Sequence, residues 1–179
     1  MSLPWRVSGR ILLLTPVSTV TEAVAAAAAG ADLVDVGDED ELIPAIRDAA
    51  RGLHICGRVA GADIVRDAAL AARTGAGLMC PDPGTASRAV QRGIAADTIV
   101  VPAPPPGIPA AVRSGWAALA DVDWAGRSPA EVEAVAAICA WLGASVIRTR
   151  HVTGVRRCVD MTESILGRRP PAWTLRGLA

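Results

Sequence analysis

Apolar residues along this chain fall into short runs of the length of a buried strand, and between the runs alanine, valine and leucine recur every three or four positions. The short runs fit strands covered on both faces, and the longer stretches have the period of helices that bury one stripe. Three junctions share one phrase: Gly30-Ala31-Asp32-Leu33-Val34, Thr74-Gly75-Ala76-Gly77-Leu78-Met79 and Leu142-Gly143-Ala144-Ser145-Val146-Ile147. Glycine closes a helix in the left-handed conformation at no steric penalty, so each Gly-Ala step predicts a helix handing over to a strand. The chain reads as a string of βα units, and such parallel folds gather their chemistry on the loops that follow the strands.

The pattern predicts strands at 11–15, 32–37, 53–57, 77–80, 98–102, 117–122 and 145–149, with helices at 19–29, 39–50, 63–73, 84–92, 107–114, 128–142 and 153–166. Ser18 or Thr19 caps the first helix with Glu22 as its partner, and the acidic run Asp38-Glu39-Asp40-Glu41 suits the positive end of the second helix. Gly61-Ala62-Asp63-Ile64-Val65 copies the strand-entry phrase, yet Val65, Ala68, Ala69 and Ala72 recur at helical spacing, which favours a helix there. The run Pro102-Ala103-Pro104-Pro105-Pro106 forms a rigid loop after its strand. The fold class expected is α/β, a TIM-barrel-like parallel (βα) repeat of about seven units, incomplete relative to a (β/α)8 barrel, which normally needs at least about 200 residues. One barrel domain spans 1–167, followed by a Pro-rich tail at 168–179.

Composition narrows the chemistry. The net charge is zero, so no overall field recruits nucleic acid or an anionic membrane. All 18 basic residues are arginine, and the absence of lysine closes routes through a Schiff base or a phosphate-clamping lysine. The four cysteines, Cys56, Cys80, Cys139 and Cys158, form no CxxC pair and have no histidine at ligand spacing, so neither a zinc site nor another metal or cofactor is expected. Arg6 and Arg10 before Ile11-Leu12-Leu13-Leu14 faintly resemble the start of a signal peptide, but Pro16 cuts the apolar core short, leaving a cytoplasmic protein as the expectation.

Four segments, in order, resemble the dihydropteroate synthases, the pterin-binding barrels of folate synthesis. Leu12-Leu13-Leu14-Thr15-Pro16-Val17-Ser18 is similar to that family's first-strand motif LNVTPDS, and Gly30-Ala31-Asp32-Leu33-Val34-Asp35-Val36-Gly37-Asp38-Glu39 to GADIIDIGGES. Gly93-Ile94-Ala95-Ala96-Asp97-Thr98-Ile99-Val100-Val101-Pro102 looks like the approach to the sixth strand, and Ile147-Arg148-Thr149-Arg150-His151-Val152 resembles iRVHDV at the eighth. Aligned this way, the family's fifth βα unit is missing between about residues 92 and 98. The resemblance implies a shortened relative that has lost most of its site. The first-strand Asn that helps hold the diphosphate and its magnesium is matched by Leu13, the third-strand Asp by Cys56, the fourth-strand Asn-Asp by Cys80 and Pro81, and the sixth-strand Asp by Pro102. The lysine expected after the seventh strand falls near Asp123-Trp124, and Arg150 replaces the last motif's histidine.

Of the ligand-holding side chains only Arg148 survives, with Asp35, Glu39, Thr15 and Pro16 as framework matches. Arg148 and Arg150, two apart at a strand end, share a face and are placed to fork onto one anion, or to pair with Asp121, Asp123 or Glu163. The candidate ligand residues are therefore Arg148, Arg150, Asp35, Glu39, Asp121 and Asp123, with no catalytic residue assigned. These features point to a non-catalytic ligand-binding or partner protein linked to folate and pterin metabolism, taking an anionic or pterin-like small molecule and forming a homodimer or a heteromer with a related barrel. Two alternatives stand beside it: a divergent transferase or lyase acting on a phosphorylated small molecule, and a structural subunit that pairs with a full-length synthase.

Overall fold

Strand and helix alternate along the chain from Leu12 to Ile165 in the structure, a computed structural model that describes residues 10–124 and 127–168. The strands are β1 (Leu12–Pro16), β2 (Leu33–Asp35), β3 (His54–Gly57), β4 (Ile64–Val65), β5 (Gly77–Met79), β6 (Ile99–Pro102), β7 (Ala117–Asp121) and β8 (Val146–Arg148). The helices are α1 (Val20–Ala29), α2 (Ile43–Ala49), α3 (Ala68–Thr74), α4 (Pro83–Gln91), α5 (Ile108–Arg113), α6 (Pro129–Trp141) and α7 (Val152–Ile165). Every strand is parallel to its neighbours, and β8 pairs with β1 to close the barrel. This is a TIM-barrel-like α/β fold, as the sequence implies. The tail at 169–179 and Arg6 lie outside the described residues.

Two apolar layers follow from strand alternation. Leu12, Leu14, Leu33, Cys56, Ile64, Val100 and Val146 fill the barrel interior. Their neighbours Leu13, Val34, Ile55, Leu78, Val101 and Ile147 face the helices, whose small residues, such as Ala23 and Ala136, allow close packing. The predicted Gly-Ala stops are real ends of helices: Gly30 caps α1 with φ 99° and Gly75 caps α3 with φ 71°. Thr19 caps α1 as expected, its hydroxyl accepting from the Glu22 amide at 3.1 Å.

The count of seven units needs correction: there are eight strands and seven α-helices among the described residues. The segment read as a helix from residue 63 opens with a strand, Ile64–Val65, and the helix begins only at Ala68, where the Asp67 side chain caps the Leu70 amide at 2.6 Å. No strand is missing between residues 92 and 98, where the single turn Ala96–Thr98 leads into β6. The absent piece is a helix between β3 and β4.

Parallel neighbours ordinarily need a crossover of a dozen or more residues, whereas here residues 58–63 suffice. The register explains how. Ile64 and Val65 pair with Cys56 and Gly57, the last residues of β3, so the chain has little height to recover. Asp63, buried at the base of the loop, accepts from the Ile55 amide at 2.8 Å and forms an ion pair with Arg47 at 3.2 Å. From above, the 3₁₀ turn Asp40–Leu42 leans across the gap: Asp40 accepts from the Arg58 amide at 2.9 Å, and Asp38 pairs with Arg58 at 2.8 Å. A Cβ on Gly57 would come within 2.7 Å of the Asp40 carboxylate, so any larger residue there would push Asp40 from its place over the connection. Half of the acidic run thus holds the helix-less connection, and α2 starts later than predicted, at Ile43.

At the N-terminal end of the strands Arg156 of α7 ties the closing helix to the barrel. It donates to the Ile11 carbonyl at 3.1 Å and forms ion pairs with Asp32 at 3.2 Å and Asp160 at 2.8 Å. Glu163, offered above as a partner for Arg148 or Arg150, belongs to this opposite end, where it accepts from the Ile11 amide at 2.9 Å and faces Arg156.

Candidate functional site

The loops after the strands enclose a cavity of about 400 Å³ at the barrel mouth. Its polar lining is Asp35, Arg66, Asp121 and Arg148, from the ends of β2, β4, β7 and β8, and its apolar wall includes Met79, Pro81, Pro102 and Leu119. The barrel register brings these together, since Asp35 pairs with Cys56 across β2 and β3 while Asp121 pairs with Arg148 across β7 and β8.

Charge in the mouth is organised in two linked pairs. Arg66 donates through Nη2 to both oxygens of the buried Asp35, each at 2.7 Å. Arg148 donates through Nη1 to Asp121 at 2.8 Å and carries its Nε to 3.9 Å from the same Asp35. Two guanidiniums and two carboxylates leave the mouth formally neutral. Beneath them Cys56 is fully buried; burial, reinforced by the negative charge of Asp35 and opposed by Arg66 and Arg148, pushes its thiol up to about 12. Cys80 beside the cavity is shifted upward too, by burial and then by Asp82. Both thiols stay protonated at neutral pH and offer no ready nucleophile.

Asp35, Asp121 and Arg148 therefore meet as a group, and other candidates do not join them. Arg150 is exposed and lines a separate groove of about 540 Å³ between α1 and α7, with Glu22, Glu133 and His151. The expectation that Arg148 and Arg150 share one face fails because β8 ends at Arg148 and the chain turns at Thr149. Asp123 bonds to that turn, accepting from the Thr149 hydroxyl at 2.8 Å and from the Arg150 amide. Glu39 lies exposed on the β2–α2 loop, outside the cavity lining. His54 is half-buried, its Nδ1 4.0 Å from Asp63, and His151 starts α7 without a capping side-chain bond.

Arg66 was missed, because it was hidden inside the supposed helix. The signal was present: the Gly-Ala-Asp phrase at residues 61–63 repeats the one at 30–32 that enters β2, and the residue following the strand is the one that reaches a barrel mouth. The same shift relocates the fourth-strand match. Cys80 follows β5, not β4, and Arg66 and Asp67 stand where the Asn-Asp pair is expected; Cys56 and Cys80 accordingly do not end neighbouring strands.

At the position that the resemblance matches to the magnesium-holding asparagine, the side chain does not fit a metal ion. Leu13, matched to the diphosphate-holding asparagine, is buried in the layer beneath the helices, and the interior neighbour on that strand is Leu14. Among the described residues no three His, Cys, Asp or Glu side chains converge to hold a metal ion.

The eight-stranded closed barrel with its cavity at the strand C-termini makes this chain a TIM barrel, similar in fold to the dihydropteroate synthases. Solved structures agree. The Mycobacterium tuberculosis protein Rv1207 superposes with a TM-score of 0.75 at 25% identity, over 92% of this chain and 96% of that one. The Yersinia pestis dihydropteroate synthase solved with a sulfonamide drug complex gives 0.73 at 14% identity, over 94% and 97%. The 7,8-dihydropteroate synthase of Vibrio fischeri ES114 gives 0.72 at 16%, over 96% of each chain. No protein-family model matches the sequence, and no curated protein matches it. Among the described residues no helix is long and apolar enough to cross a membrane.

Proposed function

We propose that this chain is a non-catalytic, small-molecule-binding relative of the dihydropteroate synthases, linked to folate and pterin metabolism, with its ligand seated in the barrel mouth. The observation that carries the reading is the polarity of that mouth. A pterin is read by carboxylates that accept from its amino and ring N–H groups, and at the sixth- and third-strand positions where the resemblance expects them stand the exposed Pro102 and the protonated, buried Cys56. With Arg66 following the fourth strand, the resemblance implies the loss of three pterin-reading contacts. Each costs about 1–3 kcal/mol, which together weakens pterin recognition by roughly two to six decades. A charged, half-buried cavity of about 400 Å³ nevertheless persists, which supports a binding role for a different ligand. The test is condensation of 4-aminobenzoate with the dihydropterin diphosphate by the purified protein, and rescue of a synthase-deficient strain. Neither is expected; turnover above the no-enzyme background would overturn the reading.

A second reading, pairing with a copy of itself or a related barrel, rests on the outer face of α6 and α7, where Ile138, Trp141, Met161 and Ile165 are each more than half exposed. Four large apolar side chains on two adjacent helices make a patch of the kind that partners cover.

A further inference from the structure

Of the two carboxylates that line the mouth, Asp35 is the one placed to select a ligand. Its side chain is 7% exposed against 41% for Asp121, so water competes little for its oxygens. A buried carboxylate of this kind pairs well with a planar head carrying two N–H groups, because both oxygens are met at once. Arg66 already stands there. Its Nη2 lies 2.7 Å from each oxygen, Oδ1 also takes the Gly37 amide at 3.1 Å, and the Nε of Arg148 is 3.9 Å from Oδ2. An N–H group arriving from outside therefore meets a carboxylate with both oxygens engaged. Among the described residues the Arg66 side chain donates to Asp35 alone, so that carboxylate fixes where the guanidinium rests.

We propose that Arg66 is a specificity-determining residue that acts as a tethered occupant of the mouth. Its guanidinium holds the place on Asp35 that a free amidinium or guanidinium head would take, and so turns such donor-rich cations away. The inference rests on the reading of the mouth as a ligand site and names the class which that site refuses. A head linked to the chain competes as though it were present at about millimolar concentration or more, and a ligand has to displace it as well as bind. Removing the head leaves Asp35 buried beside Arg148 and takes the mouth from formally neutral to one net negative charge. A buried carboxylate stripped of its partner is destabilising, so the emptied place favours a cation with two parallel N–H groups. The cavity wall of Met79, Pro102 and Leu119 suits an apolar body behind that head.

Benzamidine, an amidinium on an apolar ring, is the probe, titrated calorimetrically into the purified protein. Arg66→Ala is expected to bind it at least about tenfold more tightly than wild type does, and less tightly as sodium chloride is raised. Adding Asp35→Asn to Arg66→Ala is expected to abolish the gain, whereas Arg150→Ala, altered outside the cavity, matches wild type. Circular dichroism establishes that each variant is folded, and Arg66→Met, which keeps the stem and removes the donors, carries the comparison should Arg66→Ala unfold. A folded variant without the guanidinium that binds benzamidine no better than wild type overturns the inference, as does a gain that survives Asp35→Asn. The non-catalytic reading of the mouth is judged by the condensation assay on wild-type protein, which none of these variants enters, so the two fail separately.

Discussion

Arg66 and Cys56 set the chemistry of the mouth from two levels, one by adding a charge and the other by refusing one. A thiol pushed from 9.0 to about 12 by burial has a consequence for stability. The unfolded chain releases that proton near its ordinary value, while the folded chain holds it, so the stabilisation is complete below about pH 9 and is lost as pH rises toward 12. Cys139, pushed up to about 11 by burial, acts with the same sign. Urea midpoints measured from pH 8 to 10.5 are expected to fall, and Cys56→Ala is expected to flatten the decline by up to about 1.4 kcal/mol per pH unit above pH 9. A parallel decline in the variant would show that Cys56 titrates in the fold as it does in the unfolded chain.

Among the elements, most helices and strands were legible from periodicity, and the Gly-Ala stops placed several boundaries within a residue or two of Gly30, Gly75 and Gly143. The failure at β4 has a physical cause. Two residues are too short for alternation to register, and the Asp67 cap starts α3 almost at once, so helical spacing from Ala68 onward spreads backwards over Ile64 and Val65. The acidic run at 38–41 misled in a related way: its charges answer Arg58 and the β3–β4 turn, a tertiary demand that no local pattern carries. Of the candidate site, Asp35, Asp121 and Arg148 were readable as strand-end residues. Arg66 fell with its strand, and Arg150 was misplaced because alternation was extended past the end of β8.

At the scale of the whole molecule, the exposed face of α6 and α7 predicts association. Sedimentation at micromolar concentration is expected to give a dimer, and Trp141→Glu with Met161→Glu, both on that face, a monomer. A wild-type monomer would remove the pairing reading and leave the ligand-binding one intact. A closed barrel, meanwhile, is held only as well as its narrowest seam. β4 contributes two residues to the ladder and has no helix between it and β3, so the wall there rests on Asp63, on the grip of Asp38 and Asp40 on Arg58, and on a few backbone bonds. Local opening follows the number of contacts broken, and the amides of Ile64 and Val65 should exchange with solvent deuterium sooner than those of β1 or β7. Because Arg66 extends this same strand into the mouth, the Asp35 carboxylate that grips its guanidinium also fastens the seam: loosening that grip would be read, at the far side of the wall, as quickened exchange in β4.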